Sequence, residues 1–299
     1  VRDGVELAFV HEGAGGTPLL LVHGWPETMR GWWRVIEPLA AVGFEVIAPD
    51  LRGFGQSGLA PDDRYDPAAH SRDLHALVHD VLGHEQVVAA GGDLGAVVLI
   101  DLGLRFEGFI ARQTLWNSPL PLLRDAYAEA SLDPVPPRTR QAADYFLRQG
   151  TDADALAAEL DTPARRRRYI AQFYGPRFWA GVGAYTPEEV DFHTEPFADA
   201  DRLRASFGNY EVAFGRRPVP ERARFSEPSP VLTLILYGPE DHVVSPGYPE
   251  MAALCFPNHV GPFVVSGAGH FLAWERPEVV TSALVHFMRP WSAEDLAAR

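Results

Sequence analysis

The sequence predicts an α/β fold, a mostly parallel sheet with helices on both faces. Three observations carry this. Short apolar, partly β-branched runs alternate with helical periodicity along the first and last parts of the chain. One such run, residues 86–90, passes through the tight turn Gly91-Gly92-Asp93-Leu94-Gly95 into an apolar helical stretch, residues 96–104. Residues 120–228 then break the alternation with sequence rich in Ala, Arg, Asp and Glu that holds no clear buried strand. The expected organisation is a first core segment (1–119), a helical cap (120–228) and a second core segment (229–299).

In chain order, Val5 to Val10 alternates loosely and reads as a first strand, and the Gly13–Pro18 cluster as a turn. Leu19-Leu20-Leu21-Val22 is a buried strand that runs into His23-Gly24-Trp25-Pro26. Residues 45–50 form another strand, followed by Arg52-Gly53-Phe54-Gly55-Gln56-Ser57, a Gly-rich turn with no catalytic role expected. Helical spacing of Leu74, Leu77, Val78, Val81 and Leu82 predicts a helix over 67–83 with Gly83 as its stop. After the Asp93 turn, Ala111 to Trp116 is a strand entering Asn117. Within the insertion, 152–160 and 163–173 read as helices. Strands resume at 231–237, before Gly238-Pro239-Glu240-Asp241, and at 262–265, before Gly267-Ala268-Gly269-His270; residues 278–288 close the chain with a helix. All the polar motifs thus sit at strand carboxyl ends, where such sheets bind ligands.

Composition narrows the function classes. The chain has 299 residues, 46% of them hydrophobic, enough for a large core. Its 26 basic and 40 acidic residues give a formal charge of −14, whose field repels nucleic acids and anionic membranes. No apolar run is long enough to span a bilayer. Cys255 is the single cysteine, which excludes an intrachain disulfide and favours a reducing, cytoplasmic setting; Val1-Arg2-Asp3-Gly4 carries no signal-peptide pattern. His11, His193 and the remaining histidines show no metal-ligand spacing, so no metal or cofactor is expected. Arg165 to Arg168 reads as a solvated helix face, and Cys255 as core. The expected partner is a small-molecule substrate, with the chain a monomer or a homodimer.

A strand, a Gly-x-Asp-x-Gly turn and a helix can be a plain βα turn with an Asp cap, or a nucleophile elbow with Asp where Ser is usual. The order His23-Gly24-x-Pro26, Arg52-Gly53-x-Gly55-x-Ser57, Gly91-x-Asp93-x-Gly95, Asp241, Gly269-His270 resembles the α/β-hydrolase family over nearly the whole chain. Within it, the chain is similar to the branch of epoxide hydrolases and dehalogenases that use an Asp nucleophile. The resemblance implies that Asp93 attacks carbon to form an alkyl ester, that His270 activates the water that hydrolyses it, and that Asp241 orients His270. The other family location for the acid holds Asn117, which does not ionise. The backbone N–H groups of Trp25 and Leu94 stand where the family has its oxyanion hole, and Trp25–Pro26 resembles its cis X-Pro bond at the substrate site.

The same resemblance puts Tyr210 in the cap as a donor to the epoxide oxygen, with Glu211 after it where Arg is common. The family's second tyrosine position falls on Ala142, so that donor is missing or is supplied by Tyr145, Tyr169 or Tyr174. The alternative activity is hydrolytic dehalogenation. Against it, no Arg follows Asp93 until Arg105 to hold a haloacid carboxylate, and Leu94 offers no side-chain donor to a halide. A third possibility is a binding protein that kept the fold and lost the chemistry.

Overall fold

The computed structural model describes residues 1, 4–133, 142–241, 244 and 247–289. Among these residues the sheet has seven strands: β1 (Phe9–Glu12), β2 (Thr17–Val22), β3 (Phe44–Pro49), β4 (Val87–Gly92), β5 (Ile110–Trp116), β6 (Leu232–Tyr237) and β7 (His259–Val264), in the order β1-β3-β2-β4-β5-β6-β7. Only β1 runs antiparallel to its neighbour β3; the other described pairings are parallel. The first strand begins later than its alternation suggests, because Val5 is pulled into a small separate cluster with Ala60 and Tyr65 instead of pairing. Pro262 is accommodated because β7 is an edge strand, where a missing N–H costs no ladder bond.

The side-chain period of two splits β2 and β4 between two cores. Leu20, Val22, Val87 and Ala89 face one layer, with α2 (below) and α3; Leu19, Leu21, Val88 and Ala90 face the other. The first three helices are α1 (Ile36–Ala41), which the sequence reading had not marked, α2 (Pro67–His75) and α3 (Asp93–Arg105). Asp66 caps α2 by accepting from Ala68 and Ala69 N–H, with Pro67 in its first turn. The predicted helix over 67–83 is not uniform: after His75 it widens into a π turn, Ala76–Val81. Leu74, Leu77 and Val78 are buried as their spacing implies, but the altered winding turns Val81 out to 62% exposure.

Between β5 and β6 the described residues hold helices and no strand: α4 (Arg124–Glu129), α5 (Ala142–Thr151), α6 (Ala153–Glu159), α7 (Pro163–Ala171), α8 (Pro187–Thr194), α9 (Ala200–Ser206) and α10 (Gly208–Ala213). The apolar residues Tyr127, Leu156, Ile170, Phe173, Trp179 and Tyr210 of this stretch belong to the same buried cluster as Leu20 and Val22 of β2 and Trp25 of the loop after it. The run Arg165 to Arg168 is not a uniformly solvated face. Arg166 is buried and donates to the carbonyls of Leu160 and Ala198, while Arg165 and Arg167 pair with Asp161 and Asp191. The described residues after β6 hold α11 (Tyr248–Cys255), α12 (Leu272–Glu275) and α13 (Pro277–Met288). Cys255 is buried in α11, and its sulfur meets the hydroxyl of Tyr127 at 2.9 Å. No helix among the described residues is long and apolar enough to cross a membrane.

Candidate active site

Asp93 opens α3 with φ +47°, a left-handed conformation that an L residue keeps only where the surroundings enforce it. Close packing enforces it. A Cβ on Gly95 would lie 2.1 Å from the carbonyl oxygen of Val22, so the glycine lets α3 start directly against β2. A Cβ on Gly24 would lie 2.7 Å from that of Asp93, so the His23–Pro26 loop can rest on the carboxyl. That loop carries a cis Trp25–Pro26 bond.

Two backbone N–H groups hold the Asp93 carboxylate. Its Oδ1 accepts from Trp25 N–H at 2.9 Å, and Leu94 N–H also hydrogen-bonds the carboxylate. Its Oδ2 lies 3.7 Å from His270 Nε2, too far for a direct hydrogen bond. Burial raises the Asp93 pKa, opposed first by the charge of His270 and then by the two backbone donors.

His270 Nδ1–H donates to Asp241 Oδ2 at 2.9 Å, while its buried Nε2 has no hydrogen-bond partner among the described residues. Burial alone would lower its pKa, but the Asp241 carboxylate, followed by Asp93 and Glu27, pushes it up to about 9. Asn117, at the alternative acid position, has a different task. Its side chain donates to the carbonyls of Gly269 (2.8 Å) and His270 (3.0 Å) and accepts from Gly238 N–H (3.0 Å). It therefore ties the His270 loop to the one leading to Asp241. Arg52 forms a bidentate pair with Asp73, both contacts at 2.6 Å.

From the helical insertion, Tyr210 and Tyr145 converge on the same place. The Trp25 indole is buried, donates to Ser206 Oγ at 3.1 Å, and is stacked by Tyr145 with ring centroids 5.6 Å apart. Tyr210 meets Trp25 edge-on at 5.5 Å and Tyr145 at 6.0 Å, and the two phenols interact through their hydroxyls. Burial, with the Asp93 charge adding to it, keeps both phenols far above their ordinary pKa, so both are donors at neutral pH. The other two tyrosines are engaged elsewhere: Tyr169 accepts from Gln149, and Tyr174 donates to the carbonyl of Pro26. The side chain of Ala142 lies outside the described residues.

A family profile describing the α/β-hydrolase fold matches residues 17–277. The chain belongs to the α/β-hydrolase family. Epoxide hydrolase A of Mycobacterium tuberculosis is 29% identical to it over 333 residues, spanning 96% of this chain and 95% of that protein. The soluble epoxide hydrolase of a Corynebacterium species is 25% identical, spanning 96% of this chain and 95% of its own length. The solved structure of the epoxide hydrolase CorEH superposes with a TM-score of 0.80 at 21% identity, covering 95% of each chain. The chain is thus an epoxide hydrolase-like α/β-hydrolase, an enzyme acting on small molecules.

Three residues of this α/β-hydrolase site escaped the sequence reading. Glu27 directly follows Pro26 and accepts from Gly24 N–H at 3.0 Å; burial raises its pKa to about 7 against the lowering influence of His270. Its signal was its place beside the loop. Glu275, five residues after His270, accepts from Gly269 (2.7 Å), Phe271 (2.9 Å) and Gly181 N–H (3.0 Å). Trp179 packs its ring on those of His270 at 4.8 Å and Trp25 at 5.8 Å, and its carbonyl accepts from His270 N–H at 2.8 Å. Nothing local in the sequence distinguishes Trp179 from any packing aromatic.

Proposed function

We propose that the chain hydrolyses an epoxide to a vicinal diol through an ester on Asp93. The observation that carries this is the asymmetry of one carboxylate. Trp25 N–H holds Asp93 Oδ1 and Leu94 N–H also hydrogen-bonds the carboxylate, while Oδ2 stands 3.7 Å from His270 Nε2, beyond hydrogen-bond reach, and the Asp93 charge is felt by two protonated phenols. Oδ2 attacks a ring carbon, the C–O bond of the ring breaks, and Tyr210 protonates the departing oxygen with Tyr145 as the second donor. Residues 120–228 act in this reading as a cap that brings both phenols to the core.

Charge balance follows from the site. In the resting state His270 is an imidazolium beside the Asp93 carboxylate. Alkylation cancels that carboxylate charge, which removes part of what holds the proton on His270. The phenol that protonated the product oxygen recovers a proton from solvent, and His270 releases its own to solvent and is left neutral as the base for water. Water gives a proton to Nε2 and attacks the ester carbonyl carbon. The oxyanion forms on Oδ1, which already accepts from Trp25 N–H, with Leu94 N–H as the second donor, and collapse releases the diol and restores the ion pair.

The test is a panel of epoxides followed for diol alongside haloalkanes and haloacids followed for halide. Diol without halide is the expected result; halide release as the dominant activity would replace this reading with dehalogenation. Tyr210→Phe should slow alkylation by about 10²–10³-fold, the loss of one donor to developing charge. An unchanged alkylation rate in stopped flow would remove Tyr210 from the mechanism.

A further inference from the structure

Far from the Asp93 chemistry in role, the end of α2 gathers a second set of polar groups. His75 closes the α-helical part and His79 lies on the π turn, four residues on. Their imidazoles stack with centroids 4.8 Å apart and planes 19° from parallel. Phe106 flanks the other side of His75 at 3.8 Å, so this ring is wedged in place. The hydroxyl-free character of that wedge leaves the ring nitrogens as the polar edge of the stack. Asp80 completes the set, and one ligand-capable atom from each of His75, His79 and Asp80 lies within 4.8 Å of the others. The sequence analysis found no metal-ligand spacing among the histidines, yet His75 and His79 stand four residues apart in the stretch it read as a helix, a spacing that puts both on one face.

We propose that His75, His79 and Asp80 bind a divalent transition ion, with zinc as the reference ligand. Two imidazoles and a carboxylate suit zinc, nickel or copper and leave positions for water; an all-oxygen ion such as magnesium has little use for the imidazoles. Zinc–nitrogen bonds of about 2.0 Å bring tetrahedral ligand atoms to about 3.3 Å apart, so the groups must close by rotation. They have room: the side chains of His79 and Asp80 are 35% and 62% exposed. His79 now spends its nitrogens on carboxylates, Nδ1 on Asp80 at 2.8 Å and Nε2 on Glu85 at 3.3 Å. An ion would enter between groups that already attract positive charge, on a chain of net charge −14. The π turn adds to the case, since such turns concentrate at functional sites. The bound ion would tie the end of α2 to the π turn that leads on toward β4, which ends at Gly92, next to Asp93.

The experiment is calorimetric titration of the whole chain with zinc chloride in a non-chelating buffer, repeated with magnesium. The wild type should bind one zinc and gain thermal stability with zinc concentration. His75→Gln and His79→Gln, each checked for an unchanged fold by circular dichroism and for unchanged diol formation without zinc, should weaken zinc by about tenfold or more. Magnesium binding as tight as zinc would mean plain carboxylate attraction and overturn the site. So would zinc binding that survives in the double variant, which would move the ion elsewhere, such as to His11, Glu45 and His84.

Discussion

Asp93→Asn is expected to lower kcat/KM for epoxide opening by on the order of 10⁴–10⁶-fold, the usual scale for loss of a nucleophile. The amide keeps the size of the side chain and can still accept from Trp25 N–H through its oxygen. The fold should therefore survive, with a circular dichroism spectrum like that of the wild type. What it lacks is the unshared charge on Oδ2, and an amide is a poor nucleophile at carbon. Single-turnover mass spectrometry should find no adduct on the peptide containing residue 93. In wild-type enzyme, a single turnover in ¹⁸O-labelled water should place label in the Asp93 carboxylate and none in the first product. Label in that first product, with none in the peptide, would mean direct attack by water and would sink the ester mechanism.

His270→Gln is expected to act on the other half of the reaction. Asp93 should still be alkylated, and one equivalent of ester should accumulate, while steady-state turnover falls by on the order of 10⁴-fold or more. Wild-type pH dependence should agree in sign. The His270 pKa is pushed up to about 9 while Asp93 is charged, and burial acts alone against Asp241 and Glu27 once Asp93 is esterified. The ester should therefore titrate its base below the value in the resting enzyme, and its hydrolysis rate should rise with pH and level off before pH 9. Stopped-flow decay of the ester across pH 5–10 measures this. A hydrolysis rate in His270→Gln equal to that of the wild type would remove the imidazole from the mechanism.

The fold was legible where one residue pattern allowed one structure. Leu19 to Val22 and Val87 to Ala90 are apolar at every position because both faces of a central parallel strand are covered, and the sequence reading found both. It placed β1 too early because a strand at the sheet edge carries little apolar signal. It took the 67–83 segment as one helix because hydrophobic spacing does not separate α from π winding before Val81 is seen facing out. Asp93, His270 and Asp241 were legible because each follows a strand at a tight turn. The geometry joins them through one 2.9 Å bond and one 3.7 Å approach. Tyr145 was one of three possible partners for Tyr210, and only packing separates it from Tyr169 and Tyr174. Glu275 and Asn117 act on backbone amides and carbonyls of distant loops, and such pairings leave no trace in the order of residues.

The Glu275 carboxylate takes one N–H from Gly181, in the insertion, and two from the loop that carries His270. The carbonyl of Trp179 returns a bond to His270 N–H. The insertion is therefore sewn to the loop that carries His270 along this seam. One carboxylate thus fixes three backbone amides from two separated stretches of chain, so Glu275→Gln should loosen the insertion and the His270 loop together, and hydrogen exchange at Gly181, Gly269 and Phe271 measures it.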